Sequence, residues 1–203
     1  MDKQLFSACV YDKYEQVKEH LSQPDVDINA RNGHGNCTPL MYACENGLTE
    51  IVRLLLNDRR TDVNLMDPNG DTAFAFACSN GHVEVVRLLL ESECLDVNKT
   101  IGHYGKTALM IACEQGNFNG EQGNVVEYIL ASGRDVKVRM SDRNNKTVID
   151  YARMKGNGDL VEILELFEEN PNAARTILRE KLKLPSKFSF YFSFYFIFIF
   201  IFL

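Results

Sequence analysis

One stretch of this chain occurs twice almost unchanged, and that periodicity limits what it can become. TPLMYACENGLTEIVRLLLNDRRTDVN (38–64) returns as TAFAFACSNGHVEVVRLLLESECLDVN (72–98), a register of 34 residues from Thr38 to Thr72. A third copy opens at Thr107 with TALMIACEQG, a fourth at Thr147 with TVIDYARMKG, and a degenerate first copy, SACVYDKYEQVKEHLSQPDVDIN, covers 7–29. Ala8, Ala43, Ala77, Ala112 and Ala152 hold one register throughout. The step from Ala112 to Ala152 is 40 residues, so repeat 4 carries an insertion, placed near 117–123 where EQGN is duplicated. A longer turn between two helices there adds little closure entropy. A period of this size means a solenoid: one unit cannot bury its own apolar face, so the units must stack.

Each copy contains the same local instructions. Thr38 followed by Pro39 starts a helix, with a hydroxyl cap and then a proline whose missing N–H costs nothing at the first helical position. Leu40, Ala43 and Cys44 give that short helix a small-residue face that lets neighbours approach. Gly47, Gly81, Gly116 and Gly156 mark its end. A second helix follows, with Ile51, Val52, Leu54, Leu55 and Leu56 on its core side. Asp-Val-Asn (62–64, 96–98) then leads into turns at 67–70, 102–105 and 143–145.

These residues closely resemble the ankyrin repeat, whose pattern runs D-x-x-G-x-T-P-L-H-x-A, then G-x-x-x-V-V-x-L-L-L and D-V-N. Asp67, Gly70 and Thr72 match the hairpin; Thr38, Pro39, Leu40 and Ala43 the first helix; Val85, Val86, Leu88, Leu89 and Leu90 the second. The resemblance spans roughly residues 4–170 and implies an all-α repeat fold, an ankyrin solenoid of stacked helix–turn–helix pairs with β-hairpin or turn connections. We assign residues 1–171 to it (repeats at about 1–32, 33–66, 67–100, 101–140 and 141–171), 172–187 to a basic amphipathic helix or linker, and 188–203 to a low-complexity tail. There are departures. Proline survives only at Pro39, repeats 1–3 have one extra residue before Asp-Val-Asn, and the family's histidine is replaced by Met41, Ala75, Met110 and Asp150. Loss of the histidine's buried hydrogen bonds predicts softer repeats.

The resemblance also implies use: such stacks bind proteins through hairpin tips and the concave face of the first helices. One first-helix position left open by the pattern reads Tyr42, Phe76, Ile111 and Tyr151. Stacked, these form an apolar stripe of the kind that interfaces favour at their centres. Packing against the adjoining hairpins is the other reading of the same stripe. The rim would be Glu45 and Asn46, Ser79 and Asn80, Glu114 and Gln115, with Met154 and Lys155 beside them; the tips offer His34 and Asn36, Asn69 and Asp71, Tyr104 and Lys106, Asn144 and Lys146. The function expected is non-catalytic protein recognition by a scaffold, adaptor or inhibitor, acting as a monomer on a protein partner.

Charge and cysteine usage narrow the alternatives. The chain carries −6 overall, but residues 175–203 hold five cations against Glu180 alone, leaving the first 174 residues at −10. An acidic body is unsuited to nucleic acid. Cys9, Cys44, Cys78 and Cys113 recur once per repeat, on stacked helices too far apart for a bridge, and read as small buried thiols of a reducing compartment. Cys37 and Cys94 fall in loops. His34-x-x-Cys37 has no second ligand pair, so no metal is expected, and no cofactor or catalytic motif is found. The N-x-Thr triplets at Asn36, Asn98 and Asn145 read as chance, since the opening residues show no secretory signal and a cytoplasmic address is expected, with the nucleus open by diffusion. The tail FSFYFSFYFIFIFIFL holds eight of the thirteen phenylalanines, one at every second position, which is a strand period. As a helix it would span about 24 Å, short of a ~30 Å hydrocarbon core. Low-complexity sequence, an aggregation-prone strand and a membrane anchor that would tether the scaffold are its three readings.

Overall fold

The computed structural model describes residues 3–31, 35–116 and 124–184. The insertion at 117–123, His34 and the phenylalanine-rich tail therefore lie outside the described residues. Eleven helices occur among the described residues: α1 (Lys3–Val10), α2 (Tyr14–Leu21), α3 (Pro39–Glu45), α4 (Thr49–Asn57), α5 (Ala73–Asn80), α6 (Val83–Glu91), α7 (Ala108–Gln115), α8 (Val125–Ala131), α9 (Val148–Met154), α10 (Gly158–Glu169) and α11 (Pro171–Lys181). The first ten form five pairs, one per repeat. Inner helices α1, α3, α5, α7 and α9 pack in succession, and outer helices α2, α4, α6 and α8 form a second layer behind them. No helix among the described residues is long and apolar enough to cross a membrane.

Each inner helix starts as its sequence dictates. The hydroxyls of Thr38, Thr72, Thr107 and Thr147 accept the N–H of Met41, Ala75, Met110 and Asp150 at 3.2–3.4 Å. In repeats 2, 4 and 5 the residue in place of the histidine supplies an acceptor, whereas Ala75 in repeat 3 has none. The Met41 and Met110 sulfurs accept the main-chain N–H of Thr38 and Thr107, each at 3.4 Å. Asp150 Oδ2 accepts both the N–H and the hydroxyl of Thr147 at 2.8 Å. Behind these caps the small residues vanish into the interface: Ala43, Cys44, Ala77, Cys78, Ala112, Cys113 and Ala152 are wholly buried.

The hairpins are reduced to single antiparallel bridges, Met66 with Thr72, Ile101 with Lys106 and Ser141 with Thr147. They are tied to one another: Arg31 donates to Met66 O (2.7 Å), Gly102 N to Gly70 O (3.2 Å) and Arg143 N to Tyr104 O (2.9 Å). Gly70 has φ +87°, and a Cβ there would stand 3.2 Å from Gly102 N, so the close approach of the two turns requires glycine.

On the outer side, the asparagine of Asp-Val-Asn is the link. Asn29 donates to Arg60 O (2.8 Å) and accepts Asp62 N (2.9 Å). Asn64 repeats this with Cys94 O (2.6 Å) and Asp96 N (2.9 Å), and Asn98 with Asp135 O (2.6 Å) and Lys137 N (2.9 Å). An amide offers one donor and one acceptor side by side, so each asparagine grips the next loop at two points. Arginines close the outer-helix ends, where unpaired carbonyls and the negative end of the helix dipole gather. Arg60 donates to Leu21 O, Gln23 O and Pro24 O of repeat 1, and Arg134 to Ser92 O and Glu93 O of repeat 3.

The pattern changes at the last repeat. Lys137 stands where the asparagine would be, and the outer layer is continued from α8 by α11, while α10 packs on α9 and α11. Asn170 accepts Ala173 N (3.1 Å) and Pro171 occupies the first turn, which starts α11 sharply. Its apolar face buries Ala174 and Leu178. Arg175 donates to Arg134 O (2.8 Å), Arg179 to Ala131 O (3.1 Å), and Lys181 pairs with Glu127 (2.7 Å). The basic amphipathic segment read from the sequence is α11, and it packs on α8 and α10. The helical domain runs through Lys181, beyond the boundary at 171 placed from sequence.

Two stability measurements follow. Asn64→Ala should lower the unfolding free energy by about 1–3 kcal/mol in urea, from two hydrogen bonds at roughly 0.5–1.5 kcal/mol each; a change near zero would deny the asparagine ladder its role. Leu178→Ala should cost about 2–4 kcal/mol through the cavity it leaves, whereas a linker helix would lose nothing.

Candidate functional site

The inner helices turn one side away from the outer layer, and the hairpins border that side. Register places Tyr42, Phe76, Ile111 and Tyr151 one per repeat along it, and α3, α5, α7 and α9 do pack consecutively. Tyr42, Phe76 and Ile111 are half-buried, packed on the core yet open on one side. The Phe6 ring meets Tyr42 edge-on at 5.4 Å across the first repeat boundary. Tyr151 differs, at 4% exposure. Its hydroxyl donates to the buried carboxylate of Asp142 at 2.8 Å, and the Lys106 ammonium lies 4.9 Å from its ring centre. For Tyr151 the packing reading is therefore the one the geometry favours. Phe76, at the same register beside Asp67, has no hydroxyl to bind in this way, and Asp67 Oδ2 takes Asn69 Nδ2 instead (3.1 Å).

The rim residues are arranged in two ways. Glu45, Asn46, Asn80 and Gln115 are exposed, while Ser79 and Glu114 are half-buried. Asn46 and Asn80 turn their amide N–H back onto the carbonyls of Tyr42 and Phe76, each at 2.9 Å. Glu114 is held by Lys106 at 2.6 Å. At the tips, Asn69 is exposed, and its N–H with that of Asp71 bonds Asp67 Oδ1 at 2.9 and 2.7 Å. Tyr104 is 59% exposed, and its ring centre lies 5.5 Å from Lys106 Nζ. Burial works against the Lys106 ammonium, but hydrogen bonds to Glu114 and Tyr151 outweigh it and raise its pKa. Asn36 and Asn144 are exposed and Lys146 is half-buried.

Three exposed apolar side chains share this face: Met154, read from the sequence beside the rim, and Val10 and Tyr11, which were not singled out. Val10 and Tyr11, two and three residues past Ala8, hold the register of Glu45 and Asn46; Met154 holds that of Glu45 in repeat 5. Tyr11 is 70% and Met154 63% exposed. The alanine register of the degenerate first copy points to Val10 and Tyr11 position by position.

The cysteines of the inner helices are held protonated. Burial pushes the thiols of Cys9 and Cys113 up to about 12 and holds those of Cys44 and Cys78 well above the ordinary thiol range, which removes the reactive thiolate. Cys37 is half-buried and Cys94 exposed. Among the described residues no group of three His, Cys, Asp or Glu side chains could hold a metal ion.

Two carboxylates of repeat 5 make a pH signature. Burial opposes ionisation of Asp142, but hydrogen bonds from the Lys146 N–H, the Tyr151 hydroxyl and Asn144 prevail and lower its pKa. The Thr147 N–H and hydroxyl lower that of Asp150. A carboxylate with a depressed folded pKa contributes stability that is present above its unfolded pKa of about 4 and fades as pH falls through the folded value. Asp71 and Glu91, both raised by burial, act with the opposite sign, so the informative quantity is a difference. The gap in stability between the native chain and Asp142→Asn/Asp150→Asn should be widest near neutrality and shrink below about pH 4. Urea titrations at several pH values would read it; a gap constant with pH would contradict the assignment.

A family model described as ankyrin repeats (3 copies) matches residues 5–101 and again 58–140. Over 64 residues, 32% of this chain, the sequence is 42% identical to the human protein named Ankyrin repeat and SAM domain-containing protein 3, and the chain spans 10% of that relative's length. With its Thr caps, closing glycines and stacked helix pairs on the page, and the family match extending over most of the repeats, the chain belongs to the ankyrin-repeat family.

Proposed function

We propose that this protein is a non-catalytic recognition module, an adaptor or inhibitor that holds a partner protein against its inner-helix face and hairpin tips. The observation that carries the reading is where apolar surface is left open. Of the six large hydrophobic residues exposed among the described ones, Val10, Tyr11, Tyr104 and Met154 stand on this face, and half-buried Tyr42, Phe76 and Ile111 run between them. A stack needs no large apolar group at these positions, whereas an interface centre is built from tyrosine, phenylalanine and methionine. Ankyrin repeats are commonly used for protein–protein interaction, and the buried, protonated thiols suit the cytoplasmic setting read from the sequence.

Affinity capture with the full chain should return a set of proteins that Tyr11→Ser/Met154→Ser and, separately, Tyr42→Ala/Phe76→Ala deplete several-fold. Both residues of the first pair are exposed, so that variant should melt like the native chain. Tyr151 is left intact because its bond to Asp142 is internal. A captured set unchanged by both variants would refute this face as the binding surface.

A further inference from the structure

The same face is electrically polarised along the stack. The segments 35–47 and 67–82, which form the tips and inner helices of repeats 2 and 3, contain Glu45, Asp67 and Asp71 and no lysine or arginine. The neighbouring Arg31 is turned onto the main-chain carbonyls of Asn36 and Met66. In repeat 5, residues 142–156 contain Arg143, Lys146, Arg153 and Lys155 against Asp142 and Asp150. Both of those carboxylates are engaged locally, Asp142 by Tyr151 and two main-chain N–H groups and Asp150 by Thr147. Asp67 is likewise engaged by Asn69 and the Asp71 N–H, which leaves Glu45 and Asp71 as the open charges of the negative end. Arg143 and Lys155 are exposed, and Arg153 is exposed while paired with Glu165 at 2.6 Å. Repeat 4 lies between, its Lys106 balanced by Glu114. The change of sign is visible at one register position, the residue before each threonine cap, which reads Asp71, Lys106 and Lys146 in successive hairpins.

The negative end is felt by its own neighbours. Burial and then the Asp67 charge raise the Asp71 carboxyl above its ordinary range. Burial, then Asp67 and Glu45, raise the Cys37 thiol. An approaching cation would relieve that repulsion. Five inner helices at ~8–10 Å spacing give a face about 32–40 Å long, and an extended chain at ~3.3 Å per residue covers it with about ten to twelve residues.

We propose, on the basis of the recognition reading above, that the face takes one extended segment of a partner protein, about ten to twelve residues long, with charge running the opposite way. The segment is cationic over repeats 2 and 3, apolar over Phe76 and Ile111, and anionic over repeat 5. Apolar contact supplies most of the affinity, and the charge order fixes which way round the segment lies.

The test uses the full chain and four fluorescein-labelled peptides with one shared centre of alternating leucine and tyrosine. Two carry lysines at one end and glutamates at the other, in the two chain directions; the controls carry lysines at both ends or glutamates at both. In one direction the mixed-sign peptide should bind about tenfold tighter than either control at low salt, with the margin shrinking near ~1 M salt. The exposed positions allow a signed check: Glu45→Lys should improve the glutamate-ended control, Lys155→Glu the lysine-ended one, and the double variant should lose the margin. Circular dichroism melts confirm that each variant is folded. Controls that bind as tightly as the mixed-sign peptide, no binding by any peptide, or both single variants shifting one and the same control in the same direction would overturn the proposal. Any of those results would leave the capture experiment with the Tyr42 and Tyr11 variants standing, because that experiment asks only whether this face is used.

Discussion

Everything in this molecule depends on two helices of successive repeats coming close enough to share one buried surface. The contact is made by alanine and cysteine, the smallest side chains that still exclude water, and Ala43, Cys44, Ala77, Cys78, Ala112 and Cys113 are wholly buried in it. Larger groups there would push the units apart. Close approach alone does not fix alignment, since small apolar faces slide. Alignment comes from directional bonds at the two edges of the stack. On the hairpin side Gly102 N meets Gly70 O and Arg143 N meets Tyr104 O; on the outer side the asparagine amides grip the following loop. Packing supplies the attraction, and the polar edges choose one register.

That division of labour explains how one face can be left for other use. Because the small residues and the two polar edges hold the units together, the open side of each inner helix is not required by the fold. Tyr42, Phe76 and Ile111 rest partly on the core but keep an exposed side, and their neighbours Asn46 and Asn80 turn inward onto main-chain carbonyls. The polar residues beside the stripe thus spend their donors internally, and the apolar groups remain available. Tyr151 marks the limit of this freedom, because a hydroxyl with a carboxylate in reach is drawn into the structure.

Much of this was legible in the sequence, for identifiable reasons. The alanine register, the threonine caps and the closing glycines are local signals, each fixed by a few consecutive residues, and each appears where the pattern puts it. What escaped depends on targets far along the chain. Asn64 is visible as part of a repeated triplet, but its partners lie thirty or more residues away, on another unit. Arg175 and Arg179 read as the basic face of a helix, yet their targets are carbonyl oxygens, which no residue type announces. Tyr151 and Phe76 share a register and so look alike; a hydroxyl and the position of Asp142 separate them. Replacement of the histidine by methionine looked like a loss because a thioether is seldom counted as an acceptor for a main-chain N–H.

The last helix gives the solenoid a direction. A linear array is held by nearest-neighbour contacts, so an end unit has one neighbour and ordinarily opens first. At the C-terminal end α11 alters that count: it lies on α8 of the fourth repeat, packs on α10 of the fifth, and is pinned to Ala131 O and Arg134 O. The last two units are thereby bolted into one block. Among the described residues no comparable helix straps the first repeat, whose α1 and α2 pack chiefly on each other and on α3 and α4. Within the described residues, hydrogen-exchange protection should therefore rise from the first repeat towards the fourth. The exposed Tyr11 would then sit on the part of the molecule that breathes most, opposite a rigid cationic end.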